Sequence, residues 1–206
     1  MAAELPHLIW IDCEMTGLDL EKDVLVEIAV LVTDSDLNVI GEGIDLVIKA
    51  SAEQLAGMND FVTKMHTDSG LINEIPEGID VLEAEAQILE YLKSCGVAAG
   101  KSPLAGNSVN VDRSFIARDM KALADYLHYR TIDVSTIKEL TRRWYPKTYF
   151  AAPAKTGNHR ALGDIQDSIA ELAYYRGTVF GGQSEEITPI SAPRKRFPLF
   201  RFSKVK

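Results

Sequence analysis

Cysteine is scarce in this sequence of 206 residues, which contains only Cys13 and Cys95. Two cysteines cannot build a disulfide framework, and neither has a partner at zinc-ligand spacing. No apolar segment approaches the ~20 residues that are needed to span a bilayer. The first residues, Met1–Pro6, lack the basic and apolar segments of a secretory signal. We therefore expect a cytoplasmic protein.

Positive charge is also in short supply, because 22 lysines and arginines face 30 acidic residues and the formal net charge is −8. Proteins that hold long nucleic acids usually carry a basic face that neutralises phosphates. A nucleic-acid enzyme of this composition should therefore contact few phosphates or hold them through metal ions. The sequence also lacks the glycine-rich Gly-x-x-x-x-Gly-Lys-Ser/Thr loop, which disfavours a P-loop enzyme.

The residues that are present suit one domain followed by a tail. Hydrophobic residues make up 46% of the chain and charged residues 25%, which is enough apolar material for a buried core. After residue 180 the composition changes: 181–206 has three prolines and six basic residues against two acidic ones. We predict a domain over 1–180 and a flexible, basic tail over 181–206.

The apolar pattern predicts an α/β fold. Three apolar segments, Leu8–Cys13, Val24–Thr33 and Val39–Ile48, indicate adjacent strands in a meander. Short strands at Leu104–Gly106 and Thr131–Val134 then alternate with helices. This order favours a mixed β-sheet flanked by helices.

Four longer helices are predicted from apolar spacing and from capping residues. Asp80–Cys95 has a capping aspartate and apolar residues at helical spacing. Val111–Leu127, Ser135–Tyr145 and His159–Val179 are the other three, and Pro146 is expected to end the third. Lys147–Asn158 is predicted to be a loop.

Two acids at the end of the first strand are candidates for a metal site. Asp12 and Glu14 are two residues apart, so both carboxylates project from one face of the sheet. Buried acids this close repel each other, and a divalent cation would offset that cost. A solvated strand end or a turn cap is the alternative.

Asp112, His159 and Asp164 are weaker candidates when each is taken alone. Asp112 follows the Leu104–Gly106 strand, where an aspartate could simply cap the next helix. His159 and Asp164 stand near the start of the last helix, where a surface histidine and a solvated acid are the alternatives.

Taken together, these positions resemble the three motifs of the DEDDh exonuclease family. The longer phrases of the chain are similar to its oligoribonuclease branch. They are Trp10-Ile11-Asp12-Cys13-Glu14-Met15-Thr16-Gly17-Leu18, Met65-His66-Thr67-Asp68-Ser69-Gly70-Leu71, Gly106-Asn107-Ser108-Val109, Asp112-Arg113 and Tyr129-Arg130. The resemblance covers about residues 6–180 and implies a ribonuclease H-like fold.

The resemblance also implies the catalytic roles. Asp12, Glu14, Asp112 and Asp164 would bind two Mg²⁺ or Mn²⁺ ions, with Asp12 bridging them. Two ions stabilise the attacking water and the leaving oxygen of an in-line displacement. His159 would be the general base, a role that suits an imidazole near neutral pH.

Substrate contacts are implied at both ends of a short RNA. Leu18 and Phe61 would sandwich the terminal bases, although the family is expected to have tryptophan at position 61, and both residues could instead be core. His66 would contact the scissile end. Ser108, Arg130, Ser135 and Thr136 would cap the 5′ phosphate, with helix capping as the alternative role of Ser135 and Thr136.

Tyr129 would reach the neighbouring subunit's site, which implies a homodimer. A substrate measured by its two ends needs no basic groove, so the negative net charge agrees with a preference for dinucleotides and other very short RNAs, released as nucleoside 5′-monophosphates.

Two other functions remain open at this point. A proofreading or repair 3′-to-5′ DNA exonuclease would have the same active site, but the 5′-phosphate cap would leave a longer strand no exit. A catalytically inactive module that binds RNA or protein would not need all five catalytic residues, which are present here. Cleavage rate against substrate length separates the first alternative, and metal-dependent activity separates the second.

Overall fold

A five-stranded mixed sheet forms the centre of the molecule. The computed structural model describes residues 5–154 and 159–181. The strands are β1 (Leu8–Met15), β2 (Leu25–Thr33), β3 (Val39–Val47), β4 (Leu104–Gly106) and β5 (Thr131–Asp133), in the order β3-β2-β1-β4-β5. β1, β2 and β3 pair antiparallel, whereas β4 pairs parallel with β1 and β5. The predicted meander and mixed sheet are confirmed.

Nine α-helices flank this sheet in the part of the chain that the structure describes. They are α1 (Ala52–Ala56), α2 (Asp60–Asp68), α3 (Leu71–Glu74), α4 (Val81–Ser94), α5 (Asn110–Asp119), α6 (Lys121–Tyr126), α7 (Val134–Trp144), α8 (Pro146–Phe150) and α9 (Ala161–Thr178). Asp80 caps α4 as predicted, because its Oδ1 accepts from the amide of Leu82 at 2.8 Å. None of these helices combines the length and the apolarity that a membrane crossing requires.

The alternation of β1 sends its side chains to two different cores. Ile9, Ile11, Cys13 and Met15 pack in a cluster with residues of α4, α5 and α6. Leu8 and Trp10 pack in a second cluster with residues of α9, on the opposite face of the sheet. Because the period of a strand is two, Asp12 and Glu14 continue the face that α9 covers. The fold therefore aims both acids at the last helix.

The structure corrects two of the helix predictions. The predicted helix Val111–Leu127 is two helices, which separate at the fully buried Met120, where the backbone is not helical. Glu85 of α4 accepts from the amide of Leu123 at 2.9 Å, so a neighbouring helix stabilises the new helix start. The predicted loop after Tyr145 also contains α8, which begins at Pro146, a residue that is well tolerated in the first helical turn.

Candidate active site

Three carboxylates meet where β1 ends beneath the first turn of α9. Asp12 and Glu14 come from β1, and Asp164 is in the first turn of α9. One oxygen of each lies within 4.8 Å of the others. The tertiary structure thus brings together residues that are 150 positions apart in the sequence, as the predicted site requires.

The carboxyl group of Glu14 has a raised pKa in this cluster. Its pKa is raised to about 8, first by burial and then by the carboxylates of Glu27, Asp164 and Asp112, while Arg160 acts in the opposite direction. Oxygen ligands from several carboxylates are the donor set that Mg²⁺ and related divalent cations prefer. The residues present therefore fit a divalent cation, which would offset the repulsion among them.

Asp112 adjoins the cluster through the backbone of β1. Its Oδ1 accepts from the amide of Cys13 at 3.0 Å, between the two acids of the strand. The alternative role as a helix cap is wrong, because the N-cap of α5 is Val109 and Asp112 lies inside the helix. Burial raises the pKa of Asp112 to about 6. Among the described residues, the group with mutual distances within 4.8 Å contains Asp12, Glu14 and Asp164 but not Asp112.

His159 lies in the connection immediately before α9 rather than inside the predicted helix. It is exposed, and its backbone is in the left-handed region with φ of 48°. Non-glycine residues rarely adopt that conformation, and it occurs preferentially at functional sites. The next residue, Arg160, is the N-cap of α9.

Arg160 is an active-site neighbour that the sequence analysis missed. Its Nε donates to Glu27 Oε1 at 2.6 Å, and its Nη1 donates to Glu74 Oε1 at 2.8 Å. Glu27 is completely buried and faces Glu14 directly across β1 and β2. A signal was available in the sequence, since Glu27 is the one charged residue of the entirely buried strand Leu25–Thr33.

His66 lies behind Glu14 and is completely buried. Its Nε2 is 2.9 Å from the carbonyl oxygen of Met15, and its Nδ1 is 4.0 Å from Glu14 Oε2. Among the described side chains, the Nδ1 atom of His66 is the buried polar atom without a hydrogen-bond partner. The structure places His66 against a residue of the carboxylate cluster, and its predicted contact with substrate stays a prediction.

A cleft beside the carboxylates contains the two residues predicted to stack on bases. Leu18 and Phe61 are 73% and 75% exposed, so the alternative that they belong to the core is wrong. Both line a cleft of about 400 Å³ together with Glu14 and Met65. The cleft therefore connects an apolar surface to one of the acids of the cluster.

Two of the residues predicted to cap the 5′ phosphate come together where β4 and β5 end. Ser108 Oγ and Ser135 Oγ are 3.2 Å apart. Asp133 Oδ1 accepts from both of their backbone amides, at 3.0 and 2.9 Å, and so holds Ser108 in the left-handed conformation with φ of 56°. The amide of Ser135 is thus already used by the N-cap, and the hydroxyl groups are what the two serines offer to a phosphate. Thr136 follows Ser135 on α7 and is exposed.

Tyr129 and Arg130 lie at the other end of β5. They precede Thr131, whereas Ser135 follows Asp133, so the strand separates them by roughly 10 Å at ~3.3 Å per residue. The guanidinium of Arg130 lies over the ring of Tyr129, 5.2 Å from its centroid. Tyr129 is 71% exposed. Within one chain, the structure does not place the Tyr129–Arg130 pair beside the two serines.

The fold and the carboxylate cluster define the class of protein. Residues 9–172 match the family model RNase_T, described as Exonuclease. The fold is also similar to that of exonuclease I, with a TM-score of 0.65 at 17% identity over 83% of this chain. A zinc-bound complex of E. coli exonuclease I with single-stranded DNA gives 0.66 at 16% identity over 85% of this chain. The chain spans 41% of the length of each of these two proteins. The structural similarity supports a ribonuclease H-like fold.

Curated relatives show which branch of the exonuclease family the chain resembles. The oligoribonuclease of Streptomyces avermitilis is 55% identical over 190 residues, covering 90% of this chain and 95% of that protein. The oligoribonuclease of Cutibacterium acnes is 57% identical over 169 residues, covering 82% and 84%. That of a Mycobacterium species is 56% identical over 191 residues, covering 90% and 89%. The chain belongs to the oligoribonuclease group of the exonuclease family.

Proposed function

We propose that this protein is a 3′-to-5′ exoribonuclease that converts dinucleotides and other very short RNAs to nucleoside 5′-monophosphates by metal-dependent hydrolysis. The observation that carries the proposal is the carboxylate cluster of Asp12, Glu14 and Asp164, because Glu14 of this cluster also lines a cleft with exposed apolar side chains. Such a cleft suits a base that is stacked without being read for sequence.

The carboxylates of the cluster would hold divalent ions, two Mg²⁺ or Mn²⁺, with Asp112 as the fourth acid. When bound, these ions supply positive charge for the attacking water and for the leaving 3′ oxygen. The acids of the chain stay ionised beside them, so none has to act as a general acid.

His159 has the remaining role. Its imidazole would accept a proton from the water whose oxygen attacks the phosphorus, while the bond to the 3′ oxygen of the neighbouring nucleotide breaks in line. The products are a nucleoside 5′-monophosphate and the shortened RNA. The exposure of His159 next to α9 leaves the ring accessible to solvent and substrate.

Leu18 and Phe61 would sandwich the terminal bases, and His66 would act near the scissile end. A phenylalanine at position 61 offers a smaller stacking surface than the tryptophan expected in the family, so stacking should be weaker there but should persist. The hydroxyl groups of Ser108, Ser135 and Thr136 would receive the 5′ phosphate.

A homodimer would complete this phosphate cap. Tyr129 and Arg130 lie one strand length away from the serines of their own chain, but they form an exposed stacked pair that could enter the site of a second subunit. The helices α7 and α8 also expose Trp144, Tyr145 and Phe150, and exposed aromatic surface of this kind commonly marks an interface. Cytoplasmic location remains our prediction.

The decisive experiment is a digest of 5′-phosphorylated RNAs of two to about ten nucleotides with Mg²⁺ or Mn²⁺, with DNA of the same lengths in parallel. We expect the rate to fall sharply beyond two or three nucleotides, and activity to disappear with EDTA. The Asp12→Ala variant is the negative control. Equal rates at all lengths would reject the proposed specificity, and faster cleavage of DNA would favour a DNA exonuclease.

A further inference from the structure

We propose that Arg160, clamped between Glu27 and Glu74, is a positioning residue for the catalytic base His159. The inference rests on the proposed function, because it takes His159 to be the base. It adds Arg160, Glu27 and Glu74 to the residues that set the rate of the reaction.

Two acids from different parts of the fold hold the guanidinium of Arg160. Glu27 of β2 accepts from its Nε at 2.6 Å, and Glu74 of α3 accepts from Nη1 and Nη2 at 2.8 and 3.0 Å. Planar, bidentate contacts of this kind fix orientation as well as position. Arg160 is thus anchored to the central sheet on one side and to α3 on the other.

The backbone beside Arg160 is anchored by the same acid. Glu27 Oε2 accepts from the amide of Ala161 at 2.9 Å, while Oε1 holds the side chain of Arg160. A single buried carboxylate therefore fixes two consecutive residues at the start of α9. The peptide group that follows His159 belongs to Arg160, so the anchor lies one residue from the base.

His159 depends on this anchor because its side chain is exposed and little packing restrains it. Its left-handed backbone, with φ of 48°, is costly for a residue other than glycine and needs support from neighbouring structure. A base must also be held close to the proton that it accepts, since a displacement of about 1 Å can cost ~10²-fold in rate. The clamped Arg160 would stabilise the left-handed backbone of His159 and would hold its ring at a fixed distance from the proton.

Arg160 and Glu27 are poor first targets for mutation. Removing the guanidinium would leave the buried Glu27 without its cation, which can destabilise the whole domain. Glu74 is the better target, because its side chain is 47% exposed and it belongs to the outer half of the clamp. Glu74→Ala leaves the buried half, between Glu27 and Arg160, intact.

The same helix offers a matched control. At the other end of α9, Arg176 Nη2 pairs with Asp36 Oδ1 at 2.5 Å, and Asp36 is exposed like Glu74. Asp36→Ala therefore also removes an exposed carboxylate from an arginine of α9, but at a site remote from the base. If an ion pair matters only for the stability of α9, the two variants should behave alike.

We expect Glu74→Ala to lower kcat for a 5′-phosphorylated dinucleotide about tenfold, with KM and the melting temperature nearly unchanged. Glu74→Gln, which keeps one accepting oxygen, should recover part of the loss. Asp36→Ala should keep the wild-type kcat. The shift in melting temperature on adding Mn²⁺ should be equal in the wild type and Glu74→Ala, because Arg160 stays paired with Glu27 and its charge stays near Glu14 in both proteins.

A double-mutant cycle with His159→Ala separates positioning from a general structural effect. Under single-turnover conditions, Glu74→Ala should slow the wild type but should have no further effect on His159→Ala. An equal loss in both backgrounds, or no loss in the wild type, would overturn the inference. Unchanged turnover of His159→Ala alone would instead reject the base assignment of the proposed function, and the inference with it.

A direct measurement uses the histidine ring signals in the NMR spectrum. The chain has four histidines, so comparison with His159→Ala identifies the signal of His159. In Glu74→Ala without metal, this signal should broaden or move while that of His66 stays in place. An unchanged His159 signal would contradict the positioning role independently of activity.

Discussion

Glu14 and Glu27 face each other across β1 and β2, but of the two only Glu27 pairs directly with Arg160, whereas burial and neighbouring carboxylates raise the pKa of Glu14. Under the proposed function, the same sheet therefore holds one acid for structure and one for metal. Glu27 has its cation built into the chain through Arg160. Glu14 lies in a cluster of acids and has no direct arginine partner among the described residues, so a bound divalent ion would offset the repulsion among these carboxylates.

This asymmetry predicts the pH dependence of stability in the absence of metal. Burial and the neighbouring carboxylates raise the pKa of Glu14 from its ordinary value of 4.5 to about 8, so the folded state holds a proton that the unfolded chain releases. The contribution is present at low pH and is lost as pH rises from about 4.5 to about 8. In EDTA, Glu14→Gln should therefore be more stable than the wild type at pH 8, by on the order of 2 kcal/mol, and similar to it near pH 5.

Thermal melts of both proteins across this pH range check the prediction. Adding Mn²⁺ at pH 8 should reverse the order, because the ion stabilises the wild type by binding and the variant has lost one carboxylate. Parallel pH profiles of the two proteins would show that Glu14 does not carry the raised pKa.

At the scale of secondary structure, the separation of α5 from α6 shows how one helix determines the start of another. The residues around Met120 have no proline and no glycine, and their pattern agrees with one long helix. The break arises because Met120 is fully buried and because Glu85 of α4 accepts from the amide of Leu123. The buried carboxylate of Glu85 accepts the hydrogen bond that an N-cap side chain would otherwise accept at the start of α6.

Glu85→Ala should therefore destabilise the fold by about 1–3 kcal/mol, since it leaves the amide of Leu123 without its acceptor. Glu85→Gln keeps an oxygen at this position and should cost less. Glu90→Ala, an exposed position on the same helix, is the control and should stay within about 0.5 kcal/mol of the wild type. Urea unfolding of the three variants measures the differences, and equal values for Glu85→Ala and Glu90→Ala would contradict this role.

At the scale of the whole molecule, the position of Tyr129 and Arg130 makes oligomerisation part of the proposed chemistry. If these residues complete the phosphate cap of a second subunit, a mixture of two inactive variants should regain activity. Arg130→Ala supplies a chain with intact carboxylates, and Asp12→Ala supplies a chain with an intact Tyr129–Arg130 pair. A mixed dimer has one site with all of its residues.

We expect the mixture, after joint refolding or subunit exchange, to approach half the activity per mixed dimer of the wild type on 5′-phosphorylated dinucleotides. Substrates without the 5′ phosphate should show little recovery, because the cap has nothing to bind. Mixing Asp12→Ala with Asp164→Ala, which damage the same cluster, tests whether recovery requires complementary defects. Absence of recovery together with a monomeric mass in solution would reject the dimer.

The sequence determined the strands, the face of β1 from which Asp12 and Glu14 project, and the last long helix except for its start, which lies at Ala161 rather than at His159. These features depend on the order of apolar and polar residues within short segments. The period of two residues for a strand and of 3.6 residues for a helix can be recognised in the sequence itself. The motifs also selected Asp112 and Asp164 as candidate metal ligands. Without the motifs, Asp112 could have been a helix cap and Asp164 a solvated acid.

Only the tertiary structure decided which distant groups share a site. It placed Asp164 against the end of β1, paired Arg160 with Glu27 and Glu74, and gave the break at Met120 a cause in Glu85. It also brought Ser108 next to Ser135, at the opposite end of β5 from Tyr129 and Arg130. The physical reason is that desolvation and charge pairing depend on distances through space, and these are set by how the helices pack on the sheet.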